Sequence, residues 1–138
     1  MAKIKKINHI AIAVEDITEA LSFWRDKIGL ELDYIEEVPE QKAKVAFIPV
    51  GESDIELVEP TDEGSGTARF IQNRGPGIHH ICFEVDDIHG MAESLKKKGV
   101  RMIEENPVEM DDRWLSFIHP KSTGGVLVEL YQLKERAG

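Results

Sequence analysis

At 138 residues the chain is long enough for one well-cored domain and too short for two ordinary ones. Its 41% hydrophobic and 31% charged residues fit a folded soluble protein, and a formal net charge of −9 argues against nucleic acid or an acidic membrane surface as partner. No run approaches the ~18 apolar residues of a membrane span, "MAKIKKINHI" lacks a secretory h-region, and a single cysteine, Cys82, fits a reducing cytoplasm.

The first strand signal is "INHIAIAV" at 7–14, which runs through the acidic turn "VEDI" into a helix pattern. Ile17, Ala20, Leu21, Trp24 and Ile28 recur there at helical spacing, Asp16 with Glu19 resembles a capping box, and Gly29 is placed as the stop. Three strand-like runs follow: "LELDYIEEV" (30–38), "KVAFIPV" (44–50) and "DIELVEP" (54–60). A linker at 61–77 carries a short helix around Thr67–Arg74. Then the pattern repeats. "IHHICFEV" (78–85) enters "VDDI", and Ile88, Met91, Ala92 and Leu95 make a second helical stripe that ends on "KKK" (96–98) and Gly99. "VRMIEE" (100–105), "RWLSFIHP" (113–120) and "GVLVELYQL" (125–133) are its three strand-like runs. Over 7–17 and 78–88 six positions are identical, His9/His80 and Asp16/Asp87 among them. The chain thus reads as β-α-β-β-β twice, module one about 5–60 and module two about 78–133, within one α+β domain whose eight strands are mostly antiparallel.

Strand side chains alternate between faces, so His9 shares a face with Ala11 and Ala13, and His80 with Cys82 and Glu84. In the last strand of each half a glutamate interrupts an apolar run, Glu56 in "IELVE" and Glu129 in "VLVELY". A carboxylate in such a strand is costly to bury unless something neutralises it. Two imidazoles and two carboxylates related by the repeat form a four-donor N₂O₂ set suited to Co²⁺, Mn²⁺, Zn²⁺, Ni²⁺ or Fe²⁺. The competing reading, four relics of duplication tolerated at sheet edges, has to account for four matched positions at once.

With these residues the chain resembles the vicinal oxygen chelate superfamily, whose members fold as paired βαβββ modules around a metal in a cupped sheet. Within it, "EEVPEQKAKVAFIPVG", "ELVEPTDEGSGTARFI", "GIHHICFEVDDI" and "HPKSTGGVLVEL" look like the methylmalonyl-CoA epimerase family. The resemblance covers nearly the whole chain. It implies a homodimer, one divalent ion per chain, cobalt foremost, on His9, Glu56, His80 and Glu129, and a CoA thioester as substrate. It implies interconversion of (2R)- and (2S)-methylmalonyl-CoA through an enolate that the metal stabilises, with Glu129 as the base on one face of C2.

Two departures stand out. Some members of the family place a glutamate in the third strand where this chain has Val45, which leaves the acid for the opposite face of C2 unidentified; Lys44, adjacent to it, should point to the other face. "NPVEMDDRWLSFIHP" replaces a glycine-rich loop of the family, bringing Asp112, an acid/base candidate, and Arg113 close to the expected substrate entrance. Lys121 in the "HPK" turn is a candidate contact for a CoA phosphate. His79 reads as structural, His89 as an exposed helix residue and Cys82 as a small buried hydrophobe. Competing functions are lactoylglutathione lyase, which has a near-identical donor set, and a non-enzymatic resistance module that sequesters a small molecule. An extradiol dioxygenase would use two histidines and one glutamate, so Glu56 argues against it.

Overall fold

The computed structural model describes residues 2–135, with three α-helices and eight strands among them in the order the repeat dictates. They are β1 (Ile4–Ala13), α1 (Ile17–Trp24), β2 (Tyr34–Val38), β3 (Ala43–Val50), β4 (Ser53–Pro60), α2 (Gly66–Arg74), β5 (Gly77–Val85), α3 (Ile88–Lys97), β6 (Val108–Glu109), β7 (Arg113–Ile118) and β8 (Leu127–Leu133). The chain divides into two compact units, His9–His79 and Met1–Asn8 with His80–Gly138. They are called module one and module two below.

In module one the strands lie in the order β2-β3-β4-β1. β2/β3 and β3/β4 are antiparallel, whereas β1 and β4 run parallel, pairing Ala11 with Glu56. One face packs on α1 through Val14, Ile17, Leu21, Ala46, Ile48 and Leu57. The opposite face carries Ala11, Ala43, Val45 and Val58 with Phe47 against them. Module two repeats this as β5-β8-β7-β6, with β5/β8 parallel and the other pairs antiparallel. Its core against α3 is Val85, Ile88, Ile118 and Leu130. The expected mostly antiparallel pairing holds within each module.

The helix signals act as expected. The Asp16 carboxylate accepts from Glu19 N at 3.1 Å and the Asp87 carboxylate from Gly90 N at 3.0 Å, so both acidic turns are N-caps. A second, unexpected cap recurs as well: Ile17 N donates to Glu59 Oε1 and Ile88 N to Gln132 Oε1, each at 2.8 Å. Gly99 closes α3 at φ +83°.

Three boundaries differ from the sequence reading. α1 ends at Trp24, and the chain turns through Arg25–Ile28 before Gly29 at φ +92°, which leaves Ile28 outside the apolar stripe and 55% exposed. β2 begins at Tyr34 rather than Leu30, and Leu30 and Leu32, which precede it, pack on the helix side. "VRMIEE" makes only an isolated bridge, Met102 to Ile118, and the edge strand is Val108–Glu109. Backbone bonds from Ile103 N to Phe117 O and from His119 N to Arg101 O, each 2.8 Å, flank the bridge, and the Glu104 side chain adds one more: its Oε1 accepts from Phe117 N at 2.7 Å, a pairing no periodicity announces.

Candidate metal centre

Each module brings one imidazole to one carboxylate. In module one His9 points to the face opposite α1, together with Ala11 and Ala13, all three buried. On the parallel neighbour β4, Glu56 stands beside Ala11, one step along from His9. The two side chains meet with His9 Nδ1 3.3 Å from Glu56 Oε2. In module two His80 Nε2 lies 3.2 Å from Glu129 Oε1. Glu129 is 5% exposed and His9 4%, burial rare for such groups without strong compensation.

The donor chemistry fits a divalent ion. Two ligand atoms each about 2.1 Å from one ion, at octahedral to tetrahedral angles, stand roughly 3.0–3.4 Å apart, and both nitrogen–oxygen pairs have that spacing. Aromatic rings wall the donors. Phe117 meets His80 edge-on at 5.9 Å, and Phe47 stands across from Glu56 with Tyr34 stacked on it at 4.5 Å. Burial, then the charges of Glu36, Asp33, Asp54 and Glu56, hold the Tyr34 phenol above its ordinary value, so it stays protonated.

The remaining candidates separate clearly. Arg113 donates from Nη1 to Asp112 at 2.7 Å, and its guanidinium lies 5.1 Å from the centre of the Tyr131 ring. It is on the Glu129 face, since Phe117 pairs with Glu129 and Arg113 lies four residues earlier in β7. Asp112 has a 71% exposed side chain engaged with Arg113. Lys121 sits in the turn after β7, its backbone N–H donating to His119 Nδ1 at 3.0 Å. Partial desolvation and then the charges of Arg101 and Lys121 depress the His119 imidazole. His79 packs against Phe70 at 4.9 Å, while His89 is exposed, as expected, with its ring 4.7 Å from that of Trp114.

One group on this face was undervalued in the sequence. Cys82 is fully buried and stands across from Glu129 in the β5/β8 register, its sulfur within 4.8 Å of that carboxylate. The alternation placing it with His80 was visible; the register bringing it to Glu129 was not.

Residues 8–117 match the family described as the Glyoxalase/Bleomycin resistance protein/Dioxygenase superfamily. The mitochondrial methylmalonyl-CoA epimerase of Mus musculus is 39% identical over 132 residues, covering 94% of this chain and 74% of that protein. An ethylmalonyl-CoA/methylmalonyl-CoA epimerase of Cereibacter sphaeroides is 38% identical over 133 residues, covering 94% and 99%. A methylmalonyl-CoA epimerase solved with methylmalonyl-CoA and NH4+ superposes with a TM-score of 0.83 at 32% identity, covering 95% of this chain and 96% of that one. A probable lactoylglutathione lyase of Synechocystis stands further off, 25% identical over 129 residues, covering 93% and 95%. The chain belongs to the Glyoxalase/Bleomycin resistance protein/Dioxygenase superfamily and, within it, to the methylmalonyl-CoA epimerase family.

Proposed function

We propose that the protein is a metal-dependent epimerase that interconverts (2R)- and (2S)-methylmalonyl-CoA. The observation that carries this reading is the matched pair of imidazole–carboxylate contacts, one per module, in a chain this similar to epimerases. His9, Glu56, His80 and Glu129 would together hold one divalent ion, with Co²⁺ the first to try and Mn²⁺, Zn²⁺, Ni²⁺ or Fe²⁺ compatible with the same donors. Such an ion would supply Lewis-acid chemistry that makes the C2 proton easier to remove.

The protein's own groups do the rest. Glu129, buried and beside His80, is the base that takes the C2 proton. Phe117, edge-on to His80, gives the carboxylate of Glu129 an apolar neighbour within module two. Arg113, fixed over Tyr131, and Lys121 are the positive groups of module two that an anionic thioester would meet in a chain of net charge −9. Asp112 acts through Arg113, as the residue that fixes its Nη1. Among the described residues no helix is long and apolar enough to cross a membrane. We assign the enzyme to the cytoplasm on its single cysteine, and to a homodimer on its family resemblance.

The test is deuterium uptake at C2. (2S)-methylmalonyl-CoA is incubated in D₂O with cobalt-loaded protein, and mass shift and C2 configuration are read together. Exchange with inversion is expected, with a loss of at least about 100-fold in His80→Ala. Metal bound at one ion per chain with no exchange would sink the assignment and make a glutathione hemithioacetal the next substrate.

A further inference from the structure

An enzyme for malonyl-type thioesters has to tell a carboxylate on C2 from a hydrogen, and polar partners left unpaired by the wrong substrate are the strong way to do so. Module two holds a cation placed for that choice. In β8 the alternate residues Glu129, Tyr131 and Leu133 share one face, and across from them on β7 stand Phe117, Leu115 and Arg113. Leu133 lies about 13 Å along the strand from Glu129. The Arg113 guanidinium spans part of that distance: it leans back from the Leu133 end and lies 5.1 Å from the centre of the Tyr131 ring. Partial burial works against its charge, yet Tyr131, Asp112 and Glu129 together hold it above its ordinary value. Arg113 is therefore a permanent cation that feels the Glu129 carboxylate.

Its fork is only half used. Asp112 Oδ1 accepts from Nη1 at 2.7 Å, while Nε, itself buried, meets no acceptor among the described residues. A buried N–H left in that state costs about 1–3 kcal/mol. Nε and Nη2 form the edge of a guanidinium that takes a carboxylate side-on. The side chain keeps 23% of its exposure, so part of the group remains open to a ligand. Lys5 is already engaged, 3.6 Å from Glu84. Duplication does not explain the arginine. Phe47 across from Glu56 is module one's counterpart of Phe117 across from Glu129, and four residues before Phe47 stands Ala43.

We propose that Arg113 recognises the carboxylate on C2 and so restricts the site to malonyl-type thioesters. The inference rests on the epimerase reading. The carboxylate is bonded to the same carbon as the proton that Glu129 takes, so a substrate presenting that proton brings a second negative charge beside Glu129. Two carboxylates this close repel, and the guanidinium over Tyr131 offsets the repulsion while its Nε edge gains the acceptor it lacks. Asp112, with a 71% exposed side chain, fixes the fork from the solvent side. Arg113 thus serves the acyl end of the substrate and not the phosphates of CoA.

Metal-loaded wild type, Arg113→Gln, Arg113→Lys and Lys134→Gln proteins are titrated by calorimetry with methylmalonyl-CoA and with propionyl-CoA, which differ only by that carboxylate. The ratio of the two dissociation constants is the readout. Wild type is expected to prefer methylmalonyl-CoA, and Arg113→Gln to narrow the ratio by at least about tenfold with propionyl-CoA binding within about threefold of wild type. Arg113→Lys keeps the charge without the fork and should keep only part of the preference. Lys134 controls for lost charge, since its Nζ lies 2.5 Å from Glu109 and 5.7 Å from the Trp114 ring, on the α3 side of the sheet. Lys134→Gln should leave the ratio within about twofold of wild type. An unchanged ratio in Arg113→Gln overturns the proposal, and so does an equal weakening of both thioesters, which would put Arg113 at the phosphates or in the fold. Deuterium uptake at C2 by the same wild type separates the two readings. With uptake present, either result removes this inference alone; without uptake, the epimerase reading falls and this inference with it.

Discussion

His9 and His80 were legible because duplication writes the same residue twice in the same frame, and a strand's period of two says which neighbours share its face. Glu56 and Glu129 followed from the same offset. What sequence could not supply is lateral information. That Arg113 lies over Tyr131 and that Cys82 stands across from Glu129 are both matters of register between strands far apart in the chain. At this scale His119 makes a separable prediction. Its folded-state value is depressed, so the folded chain binds less proton there than the unfolded one, and this residue opposes folding as pH falls through about 6.5. An NMR titration of the imidazole should give a midpoint below the ordinary value. Arg101→Gln with Lys121→Gln should move it upward, and an unmoved midpoint would show that the two cations are not felt.

The elements were predicted best where local chemistry decides them. Asp16 and Asp87 announce α1 and α3 because an acidic cap satisfies orphan N–H groups within three residues. The second caps were illegible, since Glu59 and Gln132 reach their helices across 42 and 44 residues of sequence. Glu59→Ala and Gln132→Ala should each cost about 1 kcal/mol in denaturant unfolding, by analogy with the removal of an N-cap. A value near zero for either would mean that Asp16 or Asp87 alone suffices. β6 was misplaced for a related reason. "VRMIEE" has strand composition, but its backbone pairing stops at one bridge, beside which Glu104 turns its carboxylate to Phe117 N.

At the scale of the molecule, an ion held by the two imidazole–carboxylate pairs, as proposed above, would make folding and metal binding one equilibrium. An ion that binds only the folded chain stabilises it by about 4 kcal/mol when its free concentration exceeds the dissociation constant by about a thousandfold. Thermal unfolding should therefore occur at a clearly higher midpoint with Co²⁺ than after EDTA, and His80→Ala should show a much smaller difference. Equal midpoints in the wild type would argue that the pairs are plain ion pairs. The outermost strand of module one has a further consequence. β2 pairs with β3 on one side only, and it carries Tyr34 and Ile35 at nearly half their full exposure. Such an edge is a template for another chain's strand, and adjacent negative charges are a common guard against that. Glu36 and Glu37 supply those charges on opposite faces of β2, so a second copy laying its own β2 along this edge would bring like charges together on both sides of the sheet.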